Sequence, residues 1–254
     1  MKKSRNGSVS YNCKEYIGTI EFYHPKGNSL PGNLLRDIAK TITSAGEDEE
    51  CRVIVLKSSG DGAFCAGASI HELKTITNID EGKEFFMGFA HVINAMRTCP
   101  KMIITRVHGK TIGGGVGLVA ASDFVIAKDG SSVKLSELAL GIGPFVVGPA
   151  VGRKIGISAF ATLSMDATTW YSAEWAQSKG LYNKLALSTE ELDEMVNQLS
   201  ANLASSNPEA LLHLKEIHWQ ATGHWDATLE QRAEISGKLI LSDHTKNFMK
   251  KFFD

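Results

Sequence analysis

Two stretches of this sequence place glycine at the start of a helical pattern, directly after a hydrophobic, strand-like run. Ala63-Phe64-Cys65-Ala66-Gly67-Ala68-Ser69 follows the run at 52–57, and His108-Gly109-Lys110-Thr111-Ile112-Gly113-Gly114-Gly115 follows the run at 102–107. Backbone N–H groups at a helix start have no partner within the helix and sit at the positive end of its dipole. Two such ends facing one point can hold negative charge developing on an oxygen, as an oxyanion hole does. One such loop alone reads equally as a tight turn or a close helix contact. Two at equivalent strand ends favour the chemical reading. Glu137, in the apolar context Ser136-Glu137-Leu138, reads either as a helix-start charge or as a base.

Other chemistries lack their residues. The chain has no H-E-x-x-H, G-x-S-x-G or G-x-x-x-x-G-K-[ST] pattern. A dinucleotide fingerprint starting at Gly113 needs glycine at 118 and meets Leu118. His213 and His218, five apart, do not share one helix face, so no metal is expected. Cys13, Cys51, Cys65 and Cys99 form no C-x-x-C pair and read as free thiols in the cytoplasm. Asp123 reads as structural, His71 and Glu72 as solvated residues just beyond the first loop, and Trp219 and Trp225 as core or interface anchors.

The elements that must position these residues follow from periodicity. Val9–Asn12 and Tyr16–Phe22 alternate as a hairpin around Lys14-Glu15. Leu34, Leu35, Ile38 and Ile42 recur at helical spacing, with Ser29 as N-cap and Pro31 in the first turn. A buried strand at 52–57, a helix from Gly82 to Arg97, a strand at 102–107 and strands at 124–127 and 132–135 come next. Tyr171–Lys179 reads as a helix ended by Gly180, and Leu181–Leu187 as a last strand. Ser188-Thr189-Glu190-Glu191 matches a capping box and Asn207-Pro208 a helix start, and a third helix spans Trp225–Lys251. Alternating strands and helices predict an α/β fold. Residues 1–190 form its core and 191–254 a helical region that packs on the core or on another subunit.

Phe64-Cys65-Ala66-Gly67-Ala68-Ser69-Ile70, the glycines at 113–115 and Leu135-Ser136-Glu137-Leu138-Ala139-Leu140-Gly141-Ile142 resemble the crotonase superfamily of enoyl-CoA hydratases and isomerases. Asn28-Ser29-Leu30, Ala121-Ser122-Asp123 and the segment from Ala173 to Leu181 extend the resemblance over nearly the whole chain. It implies a ββα spiral core with C-terminal helices that build trimers, often paired as hexamers. It also implies an acyl-CoA thioester as substrate, with CoA part of the substrate and no separate cofactor. Ala68 and Gly114 would then donate backbone N–H groups to the thioester oxygen, with Glu137 as the catalytic acid/base. Ala66, Gly67 and Gly113 would line the substrate path, bordered by Asn28 and Ser29, with the segment around residues 70–95 and Phe145-Val146-Val147 setting pocket depth. Phe248 and Lys251 match C-terminal positions that close the CoA site of a neighbouring subunit.

The sequence departs from that pattern once. Where hydratases of the family carry a second glutamate, three residues beyond the central glycine, this chain has Gly117. Hydration shares its proton transfers between two carboxylates; a double-bond shift can be run by one. An isomerase-type reaction is therefore favoured slightly over hydration, which includes methylglutaconyl-CoA-type hydration in leucine or fatty-acid breakdown. A non-catalytic acyl-CoA binder is the third reading.

Composition agrees with a ligand recognised locally. The 254 residues are 43% hydrophobic and 22% charged, with a net charge of −1. That offers no general drive toward nucleic acid or an anionic membrane. No apolar run is long enough for a membrane span, and the polar N-terminal segment does not read as a secretory signal. Glycine is the excess: 24 residues against roughly 18 at average usage.

Overall fold

The computed structural model describes residues 6–253, with side chains to Lys250. Strands β1 (Ser8–Lys14) and β2 (Ile17–Tyr23) form the expected hairpin. Its two-residue loop is Glu15-Tyr16, at φ 52° and 65°, the positive-φ pair that matches the twist of antiparallel strands. Then come α1 (Gly32–Glu47), β3 (Val53–Ser58), the single turn α2 (Ile70–Leu73), α3 (Ile79–Thr98) and β4 (Met102–Val107). They are followed by β5 (Thr111–Ile112), α4 (Gly114–Ala120), β6 (Phe124–Lys128), β7 (Ser132–Lys134) and a 3-10 turn at Leu138–Leu140. Next are α5 (Gly148–Met165), β8 (Tyr171–Ser172), α6 (Ala173–Ser178) and β9 (Lys184–Ala186). Four helices finish the chain: α7 (Thr189–Ala204), α8 (Pro208–His218), α9 (Trp225–Leu239) and α10 (Asp243–Phe253).

The main sheet has the order β1-β2-β3-β4-β6-β9, parallel from β2 onward. Both faces are covered, which is why β3 and β4 read as unbroken apolar runs. On one face Ile54, Leu56 and Ile103 join the core made with α1 and α3. On the other, Val53, Val55, Met102, Ile104 and Ile126 pack with Leu192 and Val196 of α7. A second sheet, β5-β7-β8, lies beside the glycine triplet.

Four local expectations change. Ser29 does not cap α1; Pro31 is the N-cap, and the Glu72 carboxylate accepts from the Gly32 amide at 2.7 Å. Glu72 is thus a half-buried capping group, not a solvated one. Residues 171–172 are strand, and Ser172 caps α6. The expected helix from Trp225 to Lys251 is two helices, because Ser242 accepts from the Thr245 amide at 3.3 Å and starts α10 afresh.

The C-terminal helices are fastened to the core at two points. Helix α9 lies on α3 with Gly82 and Gly237 back to back; a Cβ on Gly82 would fall 2.8 Å from the Gly237 Cα. Asp123, fully engaged, accepts from the Ile103 amide at 2.7 Å, from Lys215 at 2.6 Å and from the Trp219 indole at 2.8 Å. Lys215 also donates to the Met96 carbonyl at 2.9 Å. Asp123 is structural, as its sequence context suggests; its hydrogen bonds tie α8 and the residue after it to β4, and Lys215 extends the tie to α3.

Candidate active site

The two glycine loops meet backbone to backbone. Cys65 donates to the Lys110 carbonyl at 3.2 Å and accepts from the Ile112 amide at 2.9 Å, in a short parallel bridge. Leu30 makes a second such bridge opposite Ala68: it donates to Gly67 at 2.8 Å and accepts from Ser69 at 3.3 Å. Ala68 is flanked by those two bonds, so its own N–H turns away from Leu30. Gly67 sits at φ 80°, where a Cβ would lie 2.8 Å from the Ile112 carbonyl oxygen. Only glycine fits that approach.

Gly113 is the N-cap of α4, at φ 52°, and Gly114 is the first helical residue. A Cβ on Gly114 would fall 2.1 Å from the Phe89 ring. The amides of Ala68 and Gly114 donate to no acceptor among the described residues. Both residues line one cavity, together with Ala66, Gly67, Gly113, Glu137 and Phe145. The rest of its wall is mainly apolar, supplied by residues such as Phe86, Phe89, Leu140, Ile142 and Val147.

Glu137 is the only titratable residue lining this cavity among the described residues. It precedes the 3-10 turn, and its carbonyl accepts from the Leu140 and Ile142 amides at 3.0 and 3.1 Å. Its Oε2 is buried without a partner. Burial pushes its carboxyl up to about 7, since removal from water disfavours the charged form. A carboxyl balanced near neutrality can both take and return a proton. Its Oε1 lies where a Cβ on Gly113 would be 3.0 Å away, so the acid and the α4 amides share one small space.

The remaining candidates divide. Asn28, at φ 56°, accepts from the His24 amide at 2.9 Å and donates to the Ser59 and Ala63 carbonyls at 3.0 and 2.9 Å. Its amide is thereby occupied in holding the first loop, and Asn28 does not line the cavity. Ser29 pairs with His24 Nδ1 at 2.9 Å, and burial, then the Lys26 charge, lowers the His24 pKa. Ser29 borders a second cavity with Lys26, Ala66, Ala68 and Lys74. The Phe145 ring folds over Gly143, where a Cβ would lie 2.4 Å from it. Phe248 is half-buried on α10, while the Lys251 side chain lies outside the described residues. Within this chain, Thr245 of α10 donates to the Gly141 carbonyl at 3.0 Å and so braces the turn that follows Glu137.

Phe89 and Val147, which shape the cavity, lie in the two segments expected to set its depth. Their contacts with α4 were not expected, although small residues in a short helix mark places where something approaches closely. Gly117 is buried and is not among the residues lining the cavity.

Known proteins resemble this chain over most of its length. It is 26% identical over 241 residues to a short-chain-enoyl-CoA hydratase of Clostridium acetobutylicum, covering 94% of this chain and 91% of that protein. It is 30% identical over 203 residues to the mitochondrial 3-hydroxyisobutyryl-CoA hydrolase of Homo sapiens, covering 76% of this chain and 52% of the hydrolase. The crystal structure of enoyl-CoA hydratase from Bacillus halodurans superposes with a TM-score of 0.87 at 20% identity, over 96% of this chain and 99% of that one; at that identity the likeness is one of fold. The sequence profile described as enoyl-CoA hydratase/isomerase matches residues 12–254. With that match over almost the entire chain, on an α/β core that carries its C-terminal helices against α3, the protein belongs to the enoyl-CoA hydratase/isomerase family of acyl-CoA enzymes, the crotonases.

Proposed function

We propose that this enzyme shifts the double bond of an enoyl-CoA ester. Glu137 removes the Cα proton of a 3-enoyl-CoA, the electron pair moves onto the thioester oxygen, and the Ala68 and Gly114 amides receive that oxyanion. Glu137 then returns the proton at Cγ while the pair re-forms the thioester carbonyl and a Cα=Cβ bond. Bonds and protons balance, and water is neither added nor lost. The observation that carries this reading is that Glu137 is the only titratable residue on the cavity wall among the described residues, so the same group must serve both proton transfers. Lys26 and Lys74, beside the second cavity, supply positive charge near Ala66 for the phosphates of CoA. Assembly into a trimer or hexamer belongs to the same reading and is measured by sedimentation.

Hydration is the second reading, favoured by the name of the Clostridium relative. One experiment separates the two. Purified enzyme is incubated with 2-enoyl- and 3-enoyl-CoA esters in deuterated water, and products are read by mass. Isomerisation turns the 3-enoyl ester into the conjugated 2-enoyl ester, seen by its ultraviolet absorbance, with no gain of water; hydration gives a product heavier by one D2O. Glu137→Gln is expected to lower turnover by at least about 10²-fold, the usual scale for a positioned acid or base, while the ester still binds. Undiminished turnover in that variant would remove Glu137 from the mechanism.

A further inference from the structure

Resting on the proton-transfer reading above, we propose that Val147 determines the specificity of this site, excluding water from the wall in front of Gly117 and so keeping the enzyme to double-bond shifts. Val147 is buried and lines the cavity. Gly117 stands directly behind it: a Cβ at 117 would lie 2.4 Å from Val147 Cγ1 and 2.8 Å from its Cβ. Neither backbone is free to retreat. Gly117 is held in α4, accepting from the Ala121 amide at 2.9 Å. Val147 caps α5, accepting from the Val151 amide at 3.0 Å, and the Pro144 carbonyl beside it accepts from Gly148 at 2.8 Å.

The contact therefore decides what this wall can carry. Any side chain at 117 must displace a Val147 methyl before it reaches the substrate. Adding water across Cα=Cβ requires a hydroxyl at Cβ and a proton at Cα, hence a water held near Cβ by polar groups. An ordered buried water needs two to four polar partners, and the isopropyl group of Val147 offers none. With no water held there, the enolate formed by Glu137 can only be reprotonated by Glu137. The substrate class follows: 3-enoyl-CoA esters that leave as 2-enoyl-CoA esters, unsaturation intact.

The test uses four full-length proteins: wild type, Gly117→Glu, Val147→Ala and the double variant. Each is given 2-enoyl- and 3-enoyl-CoA esters in deuterated water, and both Cα deuterium incorporation and hydrated product are measured. Gly117→Glu alone is expected to lose thermal stability and form no more hydrated product than wild type. The double variant is expected to give at least tenfold more hydrated product per exchange event than either single variant. The proposal is overturned if Gly117→Glu alone hydrates as well as the double variant, or if the double variant exchanges Cα protons yet gives no such gain. Absence in wild type, with every ester, of both Cα exchange and conversion of 3-enoyl to conjugated 2-enoyl ester, read by ultraviolet absorbance, overturns the underlying proton-transfer reading instead, and this proposal with it. Should the glutamate variants not fold, Gly117→Ala and Val147→Ala form a thermal-melting cycle. Gly117→Ala is expected to lower Tm and Val147→Ala to restore part of that loss; strictly additive shifts overturn the contact on which the proposal rests.

Discussion

Glu137 and His108 carry opposite pH signatures in almost the same window. Burial pushes Glu137 up to about 7, so between about 4.5 and 7 the native state holds a proton that the unfolded chain has lost. Stability therefore falls as pH rises through that range. His108 is buried with neither ring nitrogen partnered. Burial first, then the charges of Arg106 and Lys128, push it down to about 4. Between about 4 and 6.5 it is the unfolded chain that holds the extra proton, so stability rises with pH. Each effect is on the order of 3 kcal/mol, and in wild type they largely offset. We expect His108→Leu to expose the Glu137 slope, with Tm falling from pH 4.5 to 7. Glu137→Gln should expose the His108 slope, with Tm rising from pH 4 to 6.5. Calorimetric melts across pH check both, and a flat profile in either variant contradicts the assignment. The same Glu137 value places the acid limb of kcat/KM near pH 7, with activity lost below it as the base is protonated. None of these values was legible in the sequence. Glu137 was singled out there by its resemblance to a family pattern, because the cavity that buries it is completed by Phe86 and Phe89, brought to it from α3.

The elements were legible where one residue pattern dominates. The β-branched runs at 53–58, 102–107 and 124–128 are buried on both faces and could be read as strands directly. Ser188 and Asn207 cap α7 and α8 as their spacing suggests. The break between α9 and α10 was hidden because Leu239, Ile240 and Leu241 continue an apolar pattern across it; the signal lay in Ser242-Asp243, a helix start inside that run. Ser29 misled because its hydroxyl faces His24, a tertiary preference that spacing does not show. The docking of α8 was likewise invisible, since Asp123 and Lys215 are 92 residues apart. Both side chains are almost wholly buried, so removing one partner leaves an uncompensated charge. Lys215→Met is expected to cost about 3 kcal/mol in urea unfolding. Replacing Asp123 by Asn as well should cost less than the two single changes summed, and additivity would show that the pair does not act as a unit.

At the scale of the whole molecule, the boundary expected near residue 190 meets a continuous packing contact. Gly82 and Gly237 bring α3 and α9 together at backbone distance; a Cβ on Gly237 would lie 2.6 Å from the Lys83 amide nitrogen. We expect the chain to unfold in one transition, with the helices after 190 lost together with the core. Gly237→Val should lower the urea midpoint without splitting the transition, as followed by tryptophan fluorescence and far-UV circular dichroism. Two separated transitions would instead mark the C-terminal helices as a unit of their own. No helix among the described residues is long and apolar enough to cross a membrane.

The unpaired amides of Ala68 and Gly114 also make the protein its own reporter. Buried amide protons normally exchange slowly because a carbonyl holds them; these two line the cavity with no acceptor among the described residues and should exchange with solvent faster than their neighbours Gly67 and Ile112. A thioester oxygen seated between them supplies the missing acceptor. Titration with a non-reactive acyl-CoA analogue should therefore move these two backbone NMR signals downfield and slow their exchange, so that occupancy of the oxyanion site can be followed without turnover.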